Sequence, residues 1–165
     1  MEFKTIDVPA TSSKPELYTT LQESAVALFS GERNAIANAA NLSALIWHSL
    51  PDLNWAGFYL WSGKDLVLGP FQGKIACVRI DLGRGVCGHA ASERKTQVVA
   101  DVHAFPGHIA CDPDSRSEIV VPLTLGERLL GVLDQDSPHT DRFDAADARG
   151  LEALALAWIS ASDHA

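Results

Sequence analysis

The sequence predicts an α+β fold: a mainly antiparallel sheet of about six strands, with N- and C-terminal helices packed on one face and a loop-built pocket on the other. Three observations carry this reading. Apolar residues recur at helical spacing near both ends of the 165-residue chain, and the period changes to two between Asn54 and Gln135. The short segments of that middle stretch are joined by hairpin-type Gly, Pro and Ser breaks rather than by crossover helices. One domain over residues 1–165 suits the length, with about two-thirds of the unfolded surface buried in a single core.

Residues 1–12 have no clear period and are read as an extended tail. Ser13-Lys-Pro-Glu16 has capping-box spacing, and Leu17, Leu21, Ala25 and Leu28 follow at helical intervals until Gly31. A second helix carries Ile36, Ala39, Ser43, Ile46 and Leu50 and stops before Pro51, which disfavours helix in the residue ahead of it. These two helices are expected to lie antiparallel on one sheet face. In the first strand Trp55, Gly57, Tyr59 and Trp61 share one side, and Ala56, Phe58 and Leu60 the other. Gly57 is expected to leave room between aromatic rings for a ligand, although a packed core strand with a glycine bulge is the simpler reading. Asp65–Leu68 and Lys74–Ile80, the latter carrying Cys77, read as strands separated by a Gly-Pro-Phe-Gln-Gly break.

Gly83-Arg-Gly85-Val-Cys-Gly88 matches the dinucleotide fingerprint literally, but no long crossover helix and second parallel strand follow it. A tight turn into a short helix, Val86–Ser92, is the better reading. Cys87 then sits at a helix N-terminus, where the macrodipole favours a thiolate. After a short strand, Gln97–Ala100, the stretch from His103 to Glu118 reads as a long polar surface loop centred on Cys111. A thiol in such a loop is exposed to oxidation unless reactivity is its purpose. Ile119–Leu125 and Arg128–Gln135 form a hairpin turning at Gly126-Glu127, which puts Leu130, Val132, Asp134 and Asp136 on one face. The last helix, Asp141–Ser160, carries Phe143, Ala146, Leu151, Leu154 and Trp158.

Charge narrows the partners. With 13 Lys and Arg against 21 Asp and Glu, the net charge of -8 repels nucleic-acid phosphate and anionic lipid, so the expected partner is a small molecule. There is no basic and apolar N-terminal signal segment, and no apolar run approaches the roughly 18 residues of a membrane span; a cytoplasmic location is expected. Three cysteines in a reducing compartment point to metal, catalytic or redox roles rather than to a disulfide framework.

The segments NWAGFYLW, GKIACVRIDLGRGVCGHAA, HIACDPDSRSEIVVPL and GVLDQDS closely resemble the free methionine-R-sulfoxide reductases of the GAF-domain family, from about Leu17 to the C-terminal helix. The resemblance implies a GAF-like fold and reduction of free L-methionine (R)-S-oxide. It implies that Cys111 attacks the sulfoxide sulfur, that Cys77 resolves the product as a disulfide, and that Cys87 is an auxiliary or recycling thiol. It implies that Trp55 and Tyr59 hold the thioether end of the substrate, with Glu118, Asp134 and Asp136 around the rest. It further implies no prosthetic cofactor and no metal, with thioredoxin or a similar dithiol protein as electron donor. GAF domains often pair through their helices, so a homodimer is expected by analogy.

The residue types suit that chemistry. A sulfoxide sulfur becomes electrophilic when its oxygen is protonated or strongly hydrogen-bonded, and crowded carboxylates raise the pKa of at least one member. Asp134 or Glu118 is the expected proton donor. The remaining acids can pair with the ammonium of a free amino acid. Three rivals stand beside this reading: zinc held through Cys87-x-His89 and His108-x2-Cys111, whose spacing is unlike a structural site; a non-catalytic sensor that binds an amino acid or similar ligand and reports thiol oxidation; and an inert binding module with structural cysteines, which a thiol centred in a polar loop serves poorly.

Overall fold

The computed structural model describes residues 13–107 and 112–164. The helices α1 (Lys14–Phe29) and α2 (Ala35–Ser49) precede the strands β1 (Trp55–Trp61), β2 (Leu66–Gly73) and β3 (Arg79–Ile80). A third helix, α3 (Gly85–Glu93), leads to β4 (Gln97–Val99), and β5 (Ser117–Leu125), β6 (Arg128–Ser137) and α4 (Ala145–Ala161) complete the order. The six strands form one sheet in the order β3-β2-β1-β6-β5-β4, and every neighbouring pair is antiparallel.

Local chemistry sets the helix ends. The Glu16 carboxylate accepts from the Ser13 N–H and hydroxyl, which anchors the start of α1. Asn34 accepts from the N–H groups of Ile36 and Ala37, and Asp144 from those of Ala146 and Asp147. α4 therefore begins four residues later than Asp141, which itself adopts a left-handed φ of 54°. The buried stripe of α1 is Tyr18, Leu21, Ala25 and Phe29 rather than one through Leu17 and Leu28, because Phe29 and Tyr18 supply the larger apolar surfaces. Ile36, expected in the buried face of α2, is 52% exposed.

One face of the sheet packs beneath α1, α2 and α4. Leu21, Leu42, Ile46, Leu151, Leu154 and Trp158 meet Ala56, Phe58, Ile119, Val121 and Leu133 there. Burying one such side chain contributes about 1.5–3 kcal/mol, so this face supplies most of the apolar stabilisation. On the opposite face Trp55, Tyr59, Val120 and Val132 pack against Val86, Cys87, Ala90 and Ala91 of α3. α3 is thus a wall on the pocket side, which loops alone do not build.

Several strand boundaries and registers differ from the sequence reading. The expected break Gly69–Gly73 continues β2, because β3 pairs only with Leu66 and Val67 and leaves an edge on which Pro70 needs no donor. Phe58 faces both Gly69 and Pro70 across β1 and β2, a bulge that absorbs the proline. Lys74–Ile80 shrinks to the two residues of β3, and Cys77 lies in the irregular segment before them. In β6 the register jumps between Leu123↔Gly131 and Thr124↔Leu129, so Leu130 is an extra residue and joins the helix-side core, while Leu129 and Val132 face α3. The alternation from Val132 through Asp134 and Asp136 is intact.

Candidate active site

The strand register gathers the acids. Asp136 lies between Trp55 of β1 and Glu118 of β5, and Asp134 between Gly57 and Val120. Successive side chains alternate across a sheet, so Trp55, Glu118, Asp134 and Asp136 all emerge on the face away from the main core. The space expected above Gly57 is closed: a Cβ there would lie 2.3 Å from the Cβ of Phe71, which occupies it. Phe71 instead extends the aromatic wall. Its ring stacks on Trp55 at 5.2 Å, and Trp55 stacks on Tyr59 at 5.7 Å.

α3 lowers Cys87 onto the acids. Its thiol donates to Asp134 Oδ2 at 3.3 Å and reaches Glu118 Oε1 at 3.9 Å. Close entry of the helix depends on Gly88, where a Cβ would meet the Asp81 carbonyl oxygen at 2.4 Å. The glycine motif therefore serves packing of α3 rather than a phosphate. Cys87, Glu118 and Asp134 are 4%, 7% and 4% exposed, so charge on any of them is held in a poorly hydrated space.

Desolvation dominates the titration of the cluster. It pushes Asp134 up to about 7, and it raises Glu118 and Asp136 well above the usual carboxylate range with help from the charge on Asp134. Burial followed by the Asp134 and Glu118 charges raises the Cys87 thiol, and burial followed by the Asp134 charge raises the Tyr59 hydroxyl. The thiolate expected for Cys87 at the start of α3 is thus overturned: burial beside acids outweighs the helix dipole. Among the described residues Asp134 Oδ1 is buried without a hydrogen-bond partner, and its residue lines a pocket with Trp55, Tyr59 and Glu118. A buried carboxyl oxygen left without a partner suits a hydrogen bond to a bound molecule, as donor when protonated or as acceptor when ionised.

The rim ties the Cys77 segment to the loop that follows residues 108–111. Trp55 Nε1 donates to the Lys74 carbonyl at 3.2 Å and Tyr59 Oη to the Cys77 carbonyl at 3.0 Å. The Lys74 ammonium pairs with Asp112 and Asp114, and the Asn54 amide donates to Asp112 Oδ2 and Ser115 Oγ. Burial raises Asp112, but the Asp114 N–H and the Lys74 ammonium outweigh it and hold this carboxyl low. Cys77 is half-buried and disulfide-bonded, and Cys87 is a free thiol. Cys111 and His108 lie outside the described residues. Glu118 belongs to β5 rather than to the end of a loop, since it pairs with both Val99 and Asp136.

The zinc reading through His89 finds no support in its surroundings, because its Nδ1 lies 2.7 Å from the Gly85 carbonyl oxygen and its ring edge meets Phe105.

Residues 38–157 match the GAF domain model. The free methionine-R-sulfoxide reductase of Escherichia coli is 53% identical over 142 residues, covering 86% of each chain, and that of Saccharomyces cerevisiae is 44% identical over 158 residues, covering 91% of this chain and 88% of the yeast one. The chain belongs to the GAF-domain family of free methionine-R-sulfoxide reductases. An X-ray structure of the Neisseria meningitidis free methionine-R-sulfoxide reductase in complex with its substrate superposes with a TM-score of 0.89 at 42% identity, over 95% of each chain. Within this reductase family fold, the residues that sequence reading missed are Phe71, hidden in an apparent turn, and Asn54, Lys74, Asp112 and Ser115. Asp112-Pro-Asp-Ser115 carries turn chemistry that signals local hydrogen bonding, but not its partners across the pocket.

Proposed function

We propose that this chain reduces free L-methionine (R)-S-oxide to L-methionine by thiol chemistry. The observation that carries the reading is the trio Cys87, Glu118 and Asp134 beneath the aromatic wall, where burial keeps the acids protonated close to neutral pH. The substrate's thioether end lies against Trp55 and Tyr59, and the positive charge of its ammonium favours ionisation of a neighbouring acid, Glu118 or Asp136, with which it pairs. Asp134, with one oxygen unpartnered, donates a proton to the sulfoxide oxygen; Glu118 is the alternate donor. The protonated sulfoxide is attacked by the Cys111 thiolate at sulfur. The new bond between the two sulfurs and the substrate S–O bond then break as the hydroxyl shifts to the Cys111 sulfur, so methionine leaves and Cys111 becomes a sulfenic acid.

Cys77 then attacks that sulfenic sulfur and expels water, which leaves a Cys77–Cys111 disulfide. A disulfide at Cys77 beside a free Cys87 supports this division of labour. A cytoplasmic dithiol protein of the thioredoxin class supplies two electrons and two protons to restore the thiols, so each turnover consumes one sulfoxide and one dithiol. Cys87, neutral and buried, serves as an auxiliary donor to the acid pair. Two chains associate through their helices, and no prosthetic group is required.

The test incubates reduced protein with equal amounts of free methionine S- and R-sulfoxides and a dithiol reductant, and follows both epimers by chiral chromatography. Selective loss of the free R form, abolished in Cys111→Ser, is expected. Persistence of both epimers with fully reduced thiols refutes the reductase and leaves a ligand-binding sensor.

A further inference from the structure

The trio at the pocket floor has the composition of a cation site as well as of an acid site. Cys87 Sγ, one Glu118 oxygen and one Asp134 oxygen lie within 4.8 Å of one another, all buried. Tetrahedral zinc holds sulfur at about 2.3 Å and oxygen at about 2.0–2.2 Å, which separates a sulfur and an oxygen ligand by about 3.5 Å. The observed separations from Cys87 Sγ are 3.3 Å to Asp134 and 3.9 Å to Glu118, so the two sulfur–oxygen separations already lie within a few tenths of an ångström of that value. Among the described residues the second Asp134 oxygen is buried and unpartnered in a residue that lines the pocket, which leaves it acceptor capacity for an ion.

We propose that Cys87, Glu118 and Asp134 form a reversible binding site for a borderline-soft divalent cation of the zinc class, open to the pocket at its fourth position. Thiolate in the ligand set selects zinc-class ions over magnesium and calcium, which require six or more hard oxygen ligands. The cation displaces protons: one from the Cys87 thiol and one from each carboxyl that holds it, and these leave to solvent. The bound ion replaces like-charge repulsion with attraction among the three side chains. It also occupies the floor beneath Trp55, so zinc competes with the sulfoxide; that consequence rests on the proposed function, whereas the binding does not.

The experiment titrates cadmium(II), a spectroscopic stand-in for zinc, into oxidised protein without thiol reductant. In this form Cys77 is disulfide-bonded and Cys87 is free. The expected result is an ultraviolet thiolate-to-cadmium charge-transfer band saturating at one ion per chain and reversed by excess zinc but not by magnesium. Cys87→Ser abolishes the band, and Asp134→Asn, which keeps the thiol, weakens binding at least tenfold, within the range that loss of a supporting group costs a metal site. Circular dichroism confirms that each variant is folded. A band that survives in Cys87→Ser, an unchanged affinity in folded Asp134→Asn, or no saturable band in the wild type overturns the proposal, and none of these outcomes bears on whether the sulfoxide is reduced.

Discussion

Asp134→Asn separates stability from chemistry. An unfolded chain releases the Asp134 proton near 3.8, whereas the folded chain holds it to about 7. Between those values the native state binds more protons than the unfolded one, so this residue lowers stability progressively as pH rises and adds nothing adverse below 3.8. At about 1.4 kcal/mol for each pH unit, the full effect above pH 7 is on the order of 4 kcal/mol. Asn cannot ionise and is nearly isosteric. Its amide loses the Cys87 interaction geometry to some degree, at about 1 kcal/mol independent of pH. The variant is therefore expected to match or fall slightly below wild type at pH 4 and to exceed it by about 2–3 kcal/mol at pH 8. Urea unfolding of both proteins, with chelator present and at several pH values, reads this directly. Catalysis moves the other way: loss of the proton donor lowers kcat/KM by about 10²–10⁴-fold. A stability difference that stays flat from pH 4 to pH 8 refutes the reasoning, because it would mean that Asp134 titrates normally in the folded chain.

Gly57→Ala places a methyl 2.3 Å from Phe71 Cβ and 2.8 Å from the Pro70 carbonyl oxygen, so β1 and β2 must part; a loss of about 1–3 kcal/mol is expected by thermal unfolding, with weakened substrate binding from a displaced Phe71. Tyr18→Phe removes the hydroxyl that donates to buried Asp147 Oδ1, and costs about 1–2 kcal/mol in urea unfolding with kcat and KM unchanged, since Lys14 and Arg142 still pair that carboxylate far from the pocket. Trp55→Ala removes the central ring of the aromatic wall, and steady-state kinetics should show KM raised at least tenfold, consistent with loss of a buried aromatic contact of about 1.5 kcal/mol or more.

Much of the architecture is legible because hydrophobic period and burial coincide. The two faces of β1 separate as Trp55 and Tyr59 against Ala56 and Phe58, and the β5–β6 hairpin turns at Gly126-Glu127 as its residues demand. The misread positions are those where pairing overrides composition. Gly69-Pro-Phe-Gln-Gly73 has the residues of a turn, yet an edge that no strand pairs among the described residues lets it run as strand. Leu130 obeys the alternation rule in sequence, and a bulge that only the partner strand reveals turns it to the other core.

The site divides in the same way. Asp134 and Asp136 share a face by simple alternation, which one strand suffices to show. That Glu118 joins them depends on the β5 register, and that Cys87 is a neutral donor depends on how deeply α3 descends over the acids. Dipole reasoning at a helix start omits that depth. Lys74 and Asp112 come together from segments 38 residues apart, a pairing that no local pattern encodes.

The central claim is that buried carboxyls beneath Trp55 keep their protons near neutral pH. Isotope-edited infrared spectroscopy with labelled aspartate and glutamate, in chelator at pH 6, measures it most directly. The account predicts a carboxylic-acid carbonyl band that persists at this pH, diminishes as pH rises past about 7, and loses intensity in Asp134→Asn. A spectrum at pH 6 with ionised carboxylate bands alone would contradict it, and would remove the proton donor on which the chemistry depends.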